Sequence, residues 1–242
     1  MDEQNFVSEI IENVPDSIKK ETLNGAISLM KVLFKDPLIE IGNIFTDKIK
    51  SKRYSNMISI IADANLKLSK SGLNPCEPLL KVIMPLLENG SLEEDLKLKD
   101  KWSSLLKNAL DEGKLTDSHI AYINILKELT PTEGLVLDFL YKEFDGNGFE
   151  VFYAAHLLED KHKITSEVFY IHLDNFQRMK LIESTLDREI YKYLENSEYE
   201  VNEYREGYFS NLEVENKNKF NIERTEMAFT YLCKGFMRAC AS

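Results

Sequence analysis

With 242 residues, 43% of them hydrophobic and 29% charged, the chain is long enough for one large core or two small ones and too apolar for disorder to dominate. A formal net charge of −11 opposes the phosphate backbone, so non-specific nucleic-acid binding is disfavoured unless a basic face is segregated. Cys76, Cys233 and Cys240 lack metal-ligand spacing and read as reduced thiols, and the acidic start (Asp2, Glu3, Glu9) does not suit an export signal, so the expected location is cytoplasmic.

In chain order, Phe6, Val7, Ile10, Ile11 and Val14 predict a short docking helix before Pro15. Helices are expected over about 16–35 and 37–50, the second with Asp36 as N-cap and Pro37 in its first turn. Residues 25–49 are the most membrane-like stretch, but Lys31, Lys35, Asp36 and Glu40 interrupt it short of the ~20 apolar residues a span requires. A buried amphipathic helix pair is the ordinary reading. Peripheral membrane contact through 25–53, with Lys48, Lys50, Lys52 and Arg53 at its basic end, is the alternative.

Tyr54, Met57, Ile58, Ile60, Ile61, Ala64 and Leu68 form one stripe of a helix that Ser71-Gly72 ends. Leu79 to Leu87 is almost wholly apolar and is predicted to be kinked or interrupted at Pro85. Ser91-Leu92-Glu93-Glu94 has the form of a capping box and predicts a helix from Leu92. Its inward face takes Leu92, Leu96, Trp102, Leu105, Leu106, Ala109 and Leu110. Lys97, Lys99, Asp100, Lys101 and Lys107 are expected to be wet, and Gly113 supplies the terminating turn. Thr116 or Asp117 then caps a helix through Leu129 with Ile120, Ile123 and Ile125 or Leu126 inward.

Thr130-Pro131-Thr132-Glu133 is a second capping box and opens a helix through Phe144. A turn at Asp145 to Gly148 follows, then a short helix over about 150–158, a helix from Thr165-Ser166 to about Met179, and a β-branched exit from Leu181 to Thr185. Three helices and a strand predict a winged helix, with Phe220 to Phe229 as the second wing strand and Thr230 capping a last helix, Tyr231 to Ala241. Between the strands, Tyr191, Tyr193, Tyr199, Tyr204, Tyr208 and Phe209 interleave with acids in a polar excursion, an extended hairpin or a loop. They are the candidate partner-binding residues, because aromatic side chains give large contact area at low entropic cost. The expected fold is mainly α: a helical domain over 1–129, and a winged-helix-like domain over 130–242 with a small β-hairpin and an insertion at about 186–219.

A winged helix suggests DNA binding through Ser166 to Lys180. The side chains expected on its outer face are Glu167, Tyr170, Asp174, Asn175, Gln177 and Arg178, with Glu183 beside them, and phosphates are repelled by such a face. A protein partner is therefore preferred to DNA. The segment Asp145-Gly-Asn-Gly-Phe-Glu150 lacks the acids that a calcium loop needs at its fifth and twelfth positions and reads as a turn. His156, His162 and His172 fit no zinc spacing; the first and last are read as partly buried and His162 as a loop residue. His119 reads as part of a helix start, since sequence neighbours on one helical turn do not aim at one reacting atom. Glu93, Glu94 and Asp95 complement a helix dipole. Trp102 is read as core, with a partner-binding anchor as the alternative. The ten glycines include neither GxGxxG nor GxxxxGK(S/T). These residues assign no catalytic, metal or cofactor-binding side chain, and the chain reads as a non-enzyme.

Taken together, Ser91 to Asp95, Trp102 to Ala109 and Ile125 to Pro131 resemble the central signature of the abortive-infection alpha (Abi-alpha) family of bacterial phage-defence proteins. That signature is an acidic capped helix, a tryptophan followed by Leu-Leu-x-Asn-Ala, and Ile-Leu-x-x-Leu-Thr/Ser-Pro. Its structural positions fall here on Ser91, Glu94, Trp102, Leu105, Leu106, Asn108 and Ala109. Met227 to Cys240 is similar to the family's terminal pattern, with Phe229 before Thr230 as a departure, and the insertion near 186–220 has no counterpart. The resemblance implies a defence role and brings no active site. The expected function is a non-enzymatic interaction or sensor protein of abortive infection with a protein partner, phage-encoded in one reading. A winged-helix DNA-binding regulator and a toxic effector at the membrane surface are the alternatives.

Overall fold

The computed structural model describes residues 20–33, 50–72, 75, 79–111, 118–185 and 226–241. The chain divides into two compact units, Met1–Pro131 with Phe236–Ser242, and Thr132–Gly235. It is mainly helical with one small antiparallel sheet.

The first unit contains α1 (Lys20–Leu33), α2 (Lys50–Ser71), α3 (Leu80–Gly90), α4 (Leu96–Ala109) and α5 (Ser118–Glu128). Helix α2 packs against α1 on one side and α4 on the other. Ala26, Leu29, Met30 and Leu33 recur at helical spacing to bury one face of α1, and the α2 stripe buries Met57, Ile58, Ile60, Ile61, Ala64 and Leu68 as the sequence predicts. Each leucine, isoleucine or methionine among them removed from water stabilises the unit by about 1.5–3 kcal/mol.

Helix α3 is not interrupted at Pro85 but runs on to Gly90, since the bond that the proline forfeits falls in the exposed first turn. One expectation fails at the α3–α4 junction, for no helix starts at Leu92. The Ser91 hydroxyl is committed to the end of α3, donating to the Glu88 carbonyl at 2.6 Å and accepting from Arg53 Nε at 3.1 Å. Asn56 Nδ2 donates to the Ser91 and Glu93 carbonyls at 3.0 and 2.7 Å, which holds this stretch outside the helix. Asp95 is the actual N-cap of α4, its Oδ1 accepting from the Lys97 and Leu98 amides at 2.9 and 3.0 Å. Glu93 Oε1 accepts from the Glu94 and Asp95 amides, both at 2.9 Å. Glu94 instead pairs with Lys52, whose hydrogen bond and charge lower its carboxyl pKa.

This later start shifts the inward face of α4 to Leu98, Trp102, Leu105, Leu106 and Ala109. Leu92 and Leu96 are exposed, at 58% and 78%, and Lys101 is buried where a wet lysine was expected. Gly90 allows a close approach here: a Cβ would lie 3.0 Å from Ile60 Cδ1 and 3.4 Å from the Trp102 ring. In α5, Ile123, Ile125 and Leu126 are buried as expected, whereas Ile120 is exposed. The predicted elements at 1–14 and 37–50, the Thr116 or Asp117 cap and the Gly113 turn lie outside the described residues. No helix among the described residues is long and apolar enough to cross a membrane.

The second unit runs α6 (Pro131–Glu143), β1 (Gly148–Glu150), α7 (Val151–His162), α8 (Ser166–Arg178), β2 (Ile182–Ser184) and β3 (Glu226–Phe229), and α9 (Tyr231–Ala239) begins in it. The strand order is β1-β3-β2, all antiparallel, with Phe149 opposite Met227 and Ile182 opposite Phe229. Strand β1 falls where the sequence predicts the end of a turn and the start of a helix, with no strand. Its approach is made by Asp145 and Gly146, both at positive φ, and a Cβ on Gly146 would meet the Tyr141 ring at 2.9 Å. Thr165 caps α8 by accepting from the Val168 amide, and Thr230 caps α9 by accepting from the Cys233 amide at 3.1 Å, both as predicted. Helix α7 continues to His162, four residues beyond its expected end, and closes on Lys163 in the left-handed region.

Candidate functional site

Three clusters of polar or exposed apolar side chains stand out among the described residues. In the first, Lys67 of α2 reaches toward α4. Its Nζ lies 3.0 Å from Asp63 Oδ2 and 2.6 Å from Asp100 Oδ1, and it donates at 2.8 Å to the hydroxyls of Ser103 and Ser104 and at 2.9 Å to the Asp100 carbonyl. Ser103 in turn donates to Asp63. Both serines are buried, and the lysine side chain is largely so. A lysine held between two carboxylates is poorly placed to take a proton from serine, so the arrangement acts as a clamp between two helices.

In the second, the carboxylate of Glu133 is buried in the first turn of α6. It accepts from Asn175 Nδ2 at 2.6 Å and lies 3.6 Å from His172 Nδ1, while Arg178 Nε donates to Asn175 Oδ1 at 2.8 Å. This chain of contacts fastens α8 to α6 and orients α8.

The third is the outer surface of α8. Phe169, Leu173 and Phe176, at spacings of four and three, form the buried stripe that fixes the rotation of the helix. Outward then point Glu167, Val168, Tyr170, Ile171, Asp174 and Arg178. Ile171 is 61% exposed, Tyr170 46% and Val168 39%, so three large apolar side chains stand in solvent on two turns of one helix. The four nearest surface neighbours of Ile171 on the helix, three and four residues away, are Glu167, Val168, Asp174 and Asn175. An apolar centre is thereby bracketed by two carboxylates. Phe152 and Tyr153 of α7 are also exposed; Phe152 stacks edgewise on His156 at 4.5 Å, and Tyr153 on Phe144 at 6.3 Å.

Of the α8 residues expected outside, Glu167, Tyr170, Asp174 and Arg178 are exposed. Asn175 and Gln177 are half-buried, the first on Glu133 and the second donating to Met227 Sδ at 3.6 Å. Val168 and Ile171 were missed. Their signal was present, since an apolar residue that falls off the Phe169-Leu173-Phe176 stripe has nowhere to go but outward. Tyr191, Tyr193, Tyr199, Tyr204, Tyr208 and Phe209 lie outside the described residues.

Ser91, Trp102, Leu105, Leu106, Asn108 and Ala109 are buried in the first unit, where Asn108 Nδ2 donates to the Ala239 carbonyl at 2.7 Å, and Glu94 is exposed. His119 is buried against the edge of Tyr122. His156 is exposed rather than partly buried. His162 ends α7, exposed, with its ring 4.9 Å from that of Phe139, and His172 is half-buried. Among the described residues no three His, Cys, Asp or Glu side chains gather as a metal-binding group.

Neither a search of curated proteins nor one of solved structures returned a match. The sequence model of the family described as abortive infection alpha matches residues 43–240, a span that takes in the signature around Trp102, all three clusters and the terminal helix. The chain therefore belongs to the abortive infection alpha family, whose role is in abortive infection, the defence of bacteria against phage.

Proposed function

We propose that the chain is a non-enzymatic interaction or sensor component of that defence and that it engages a protein partner through the outer face of α8. The observation that carries the reading is the exposure of Val168, Tyr170 and Ile171 between Glu167 and Asp174. The order α6-β1-α7-α8-β2-β3, with strand order β1-β3-β2, supports a winged helix in which α8 holds the position of a reading helix. Base edges and phosphates are met by arginine, lysine, asparagine and glutamine, whereas the centre of this face offers valine, isoleucine, tyrosine and two carboxylates, with Arg178 at its end. Exposed apolar side chains grouped on one face mark protein contacts.

The test is protection from phage. Ile171→Glu, which adds a third carboxylate to an exposed position, is expected to fold as the parent does by circular dichroism and to lose protection in a plaque assay. Retained protection across phages that the parent restricts would remove the α8 face from the mechanism. Duplex DNA is expected to give only weak, salt-sensitive binding near physiological ionic strength. Submicromolar, salt-resistant affinity for a defined duplex would favour the regulator instead.

A further inference from the structure

The charges around Ile171 narrow the class of partner. Resting on the proposal that the α8 face is an interaction surface, we infer that its occupant is an apolar polypeptide segment flanked by lysine or arginine, an amphipathic helix or strand with basic edges. Glu167 and Asp174 stand four residues before and three after Ile171, and three before and four after Tyr170, so both apolar side chains share the same two acidic neighbours. The helix's own exposed base, Arg178, lies a turn beyond Asp174 and turns its Nε to Asn175 Oδ1, and before the helix Lys163 Nζ donates to the Asp160 carbonyl. Neither of these contacts is made to Glu167 or Asp174. A partner that buries Ile171 and Tyr170 must approach both carboxylates, and cationic side chains at its rim meet them favourably.

Other occupants meet repulsion. A second copy docked about a two-fold axis through this face brings Glu167 and Asp174 toward their own equivalents. Nucleic acid and an anionic lipid surface present the wrong sign. The protein's net charge of −11 adds a long-range attraction for a basic partner.

The experiment is an unbiased selection. The full chain is immobilised and a library of random 16-residue peptides displayed by their own messenger RNA is selected against it. Enriched sequences are expected to place lysine or arginine beside apolar residues. The tightest of them, measured by fluorescence anisotropy, is expected to lose about tenfold or more in affinity for Ile171→Glu, a loss typical of a central apolar anchor. It should likewise be lost for Glu167→Lys with Asp174→Lys, and weaken as salt rises. A copy with its bases changed to glutamate should bind the double-lysine variant in preference to the parent. Because Glu167 sits in the first turn of α8, Glu167→Gln with Asp174→Asn gives a second, gentler pair of changes that should weaken binding in the same direction.

Enrichment of neutral or acidic peptides, binding indifferent to the charge changes, or failure to obtain any peptide that depends on Ile171 each overturns the inference. The plaque assay separates this failure from that of the underlying proposal. Loss of protection in Ile171→Glu with full protection by both charge variants leaves the interaction surface standing and removes the basic partner.

Discussion

Replacing Trp102 with alanine tests whether the central helix is organised as described. The side chain is 1% exposed on the inward face of α4, and its ring sits where a methyl group on Gly90 would come within 3.4 Å. No neighbour can move in to fill the space without dragging α2 or α3, so most of the lost volume remains as a cavity. Truncations of this kind cost about 3–5 kcal/mol. For a unit of this size that corresponds to a fall in melting temperature of roughly 10–20 °C. The indole Nε1 has no hydrogen-bond partner among the described residues, so Trp102→Phe loses bulk without stranding a partner and is expected to cost about 1–2 kcal/mol. Differential scanning calorimetry on the parent and both variants gives the comparison. If Trp102→Ala melts within a few degrees of the parent, or Trp102→Phe is as damaging as alanine, the packing argument is wrong.

The clamp predicts that Lys67→Ala destabilises by about 2–4 kcal/mol in chemical denaturation, because buried serine hydroxyls and two carboxylates lose a common donor; half-exposure of the carboxylates keeps the figure from the top of the usual range. Lys67→Arg should not restore it, since a planar guanidinium does not converge on five oxygens as an ammonium does. Burial pushes the Cys233 thiol from about 9 up to about 12, so it should resist iodoacetamide at pH 8 in the folded protein and react on unfolding. The same shift means that the unfolded chain releases this proton first: stability from this group is intact below pH 9 and falls as pH rises from there toward 12, a decline that Cys233→Ala should lessen in denaturation curves. Thr230→Val should cost about 1–2 kcal/mol, because its hydroxyl both accepts from the Cys233 amide and donates to the Lys180 carbonyl at 2.7 Å. Lys163→Gly should gain up to about 1 kcal/mol by relieving the left-handed backbone after α7.

What the sequence made legible followed from periodicity and from side chains that act on their own neighbours. The α2 stripe, the Thr165 and Thr230 caps and the helix from Pro131 rest on spacings of three and four and on local hydrogen bonds. The α3–α4 junction was misread because Ser91 and Glu94 satisfy a capping pattern that has a competitor: Asn56 and Arg53, thirty-five and thirty-eight residues earlier, hold the segment in another conformation. Tertiary contacts decided that local question. Strand β1 was missed because three residues carry no readable alternation and pair with residues almost eighty positions later. The acidity of α8 was plain from composition along the helix, whereas the exposure of Ile171 required knowing which stripe faced in. The clamp around Lys67 was invisible, since its members come from two helices and each reads alone as an ordinary surface residue.

Strand β3 is last in the sequence and middle in the sheet, which fixes the order in which a ribosome can supply the parts. When Ser184 has left the exit tunnel, β1 and β2 are both available but neither has its partner, and they are not each other's neighbours. Another forty-odd residues must be translated before Glu226 to Phe229 can slot between them. At about 5–20 residues per second that is an interval of several seconds during which two strand edges remain open. Phe236 onward, which belongs with the first unit, arrives later still. A nascent chain stalled anywhere between these points presents both unfinished units to chaperones and proteases, and neither unit can be completed before translation reaches α9.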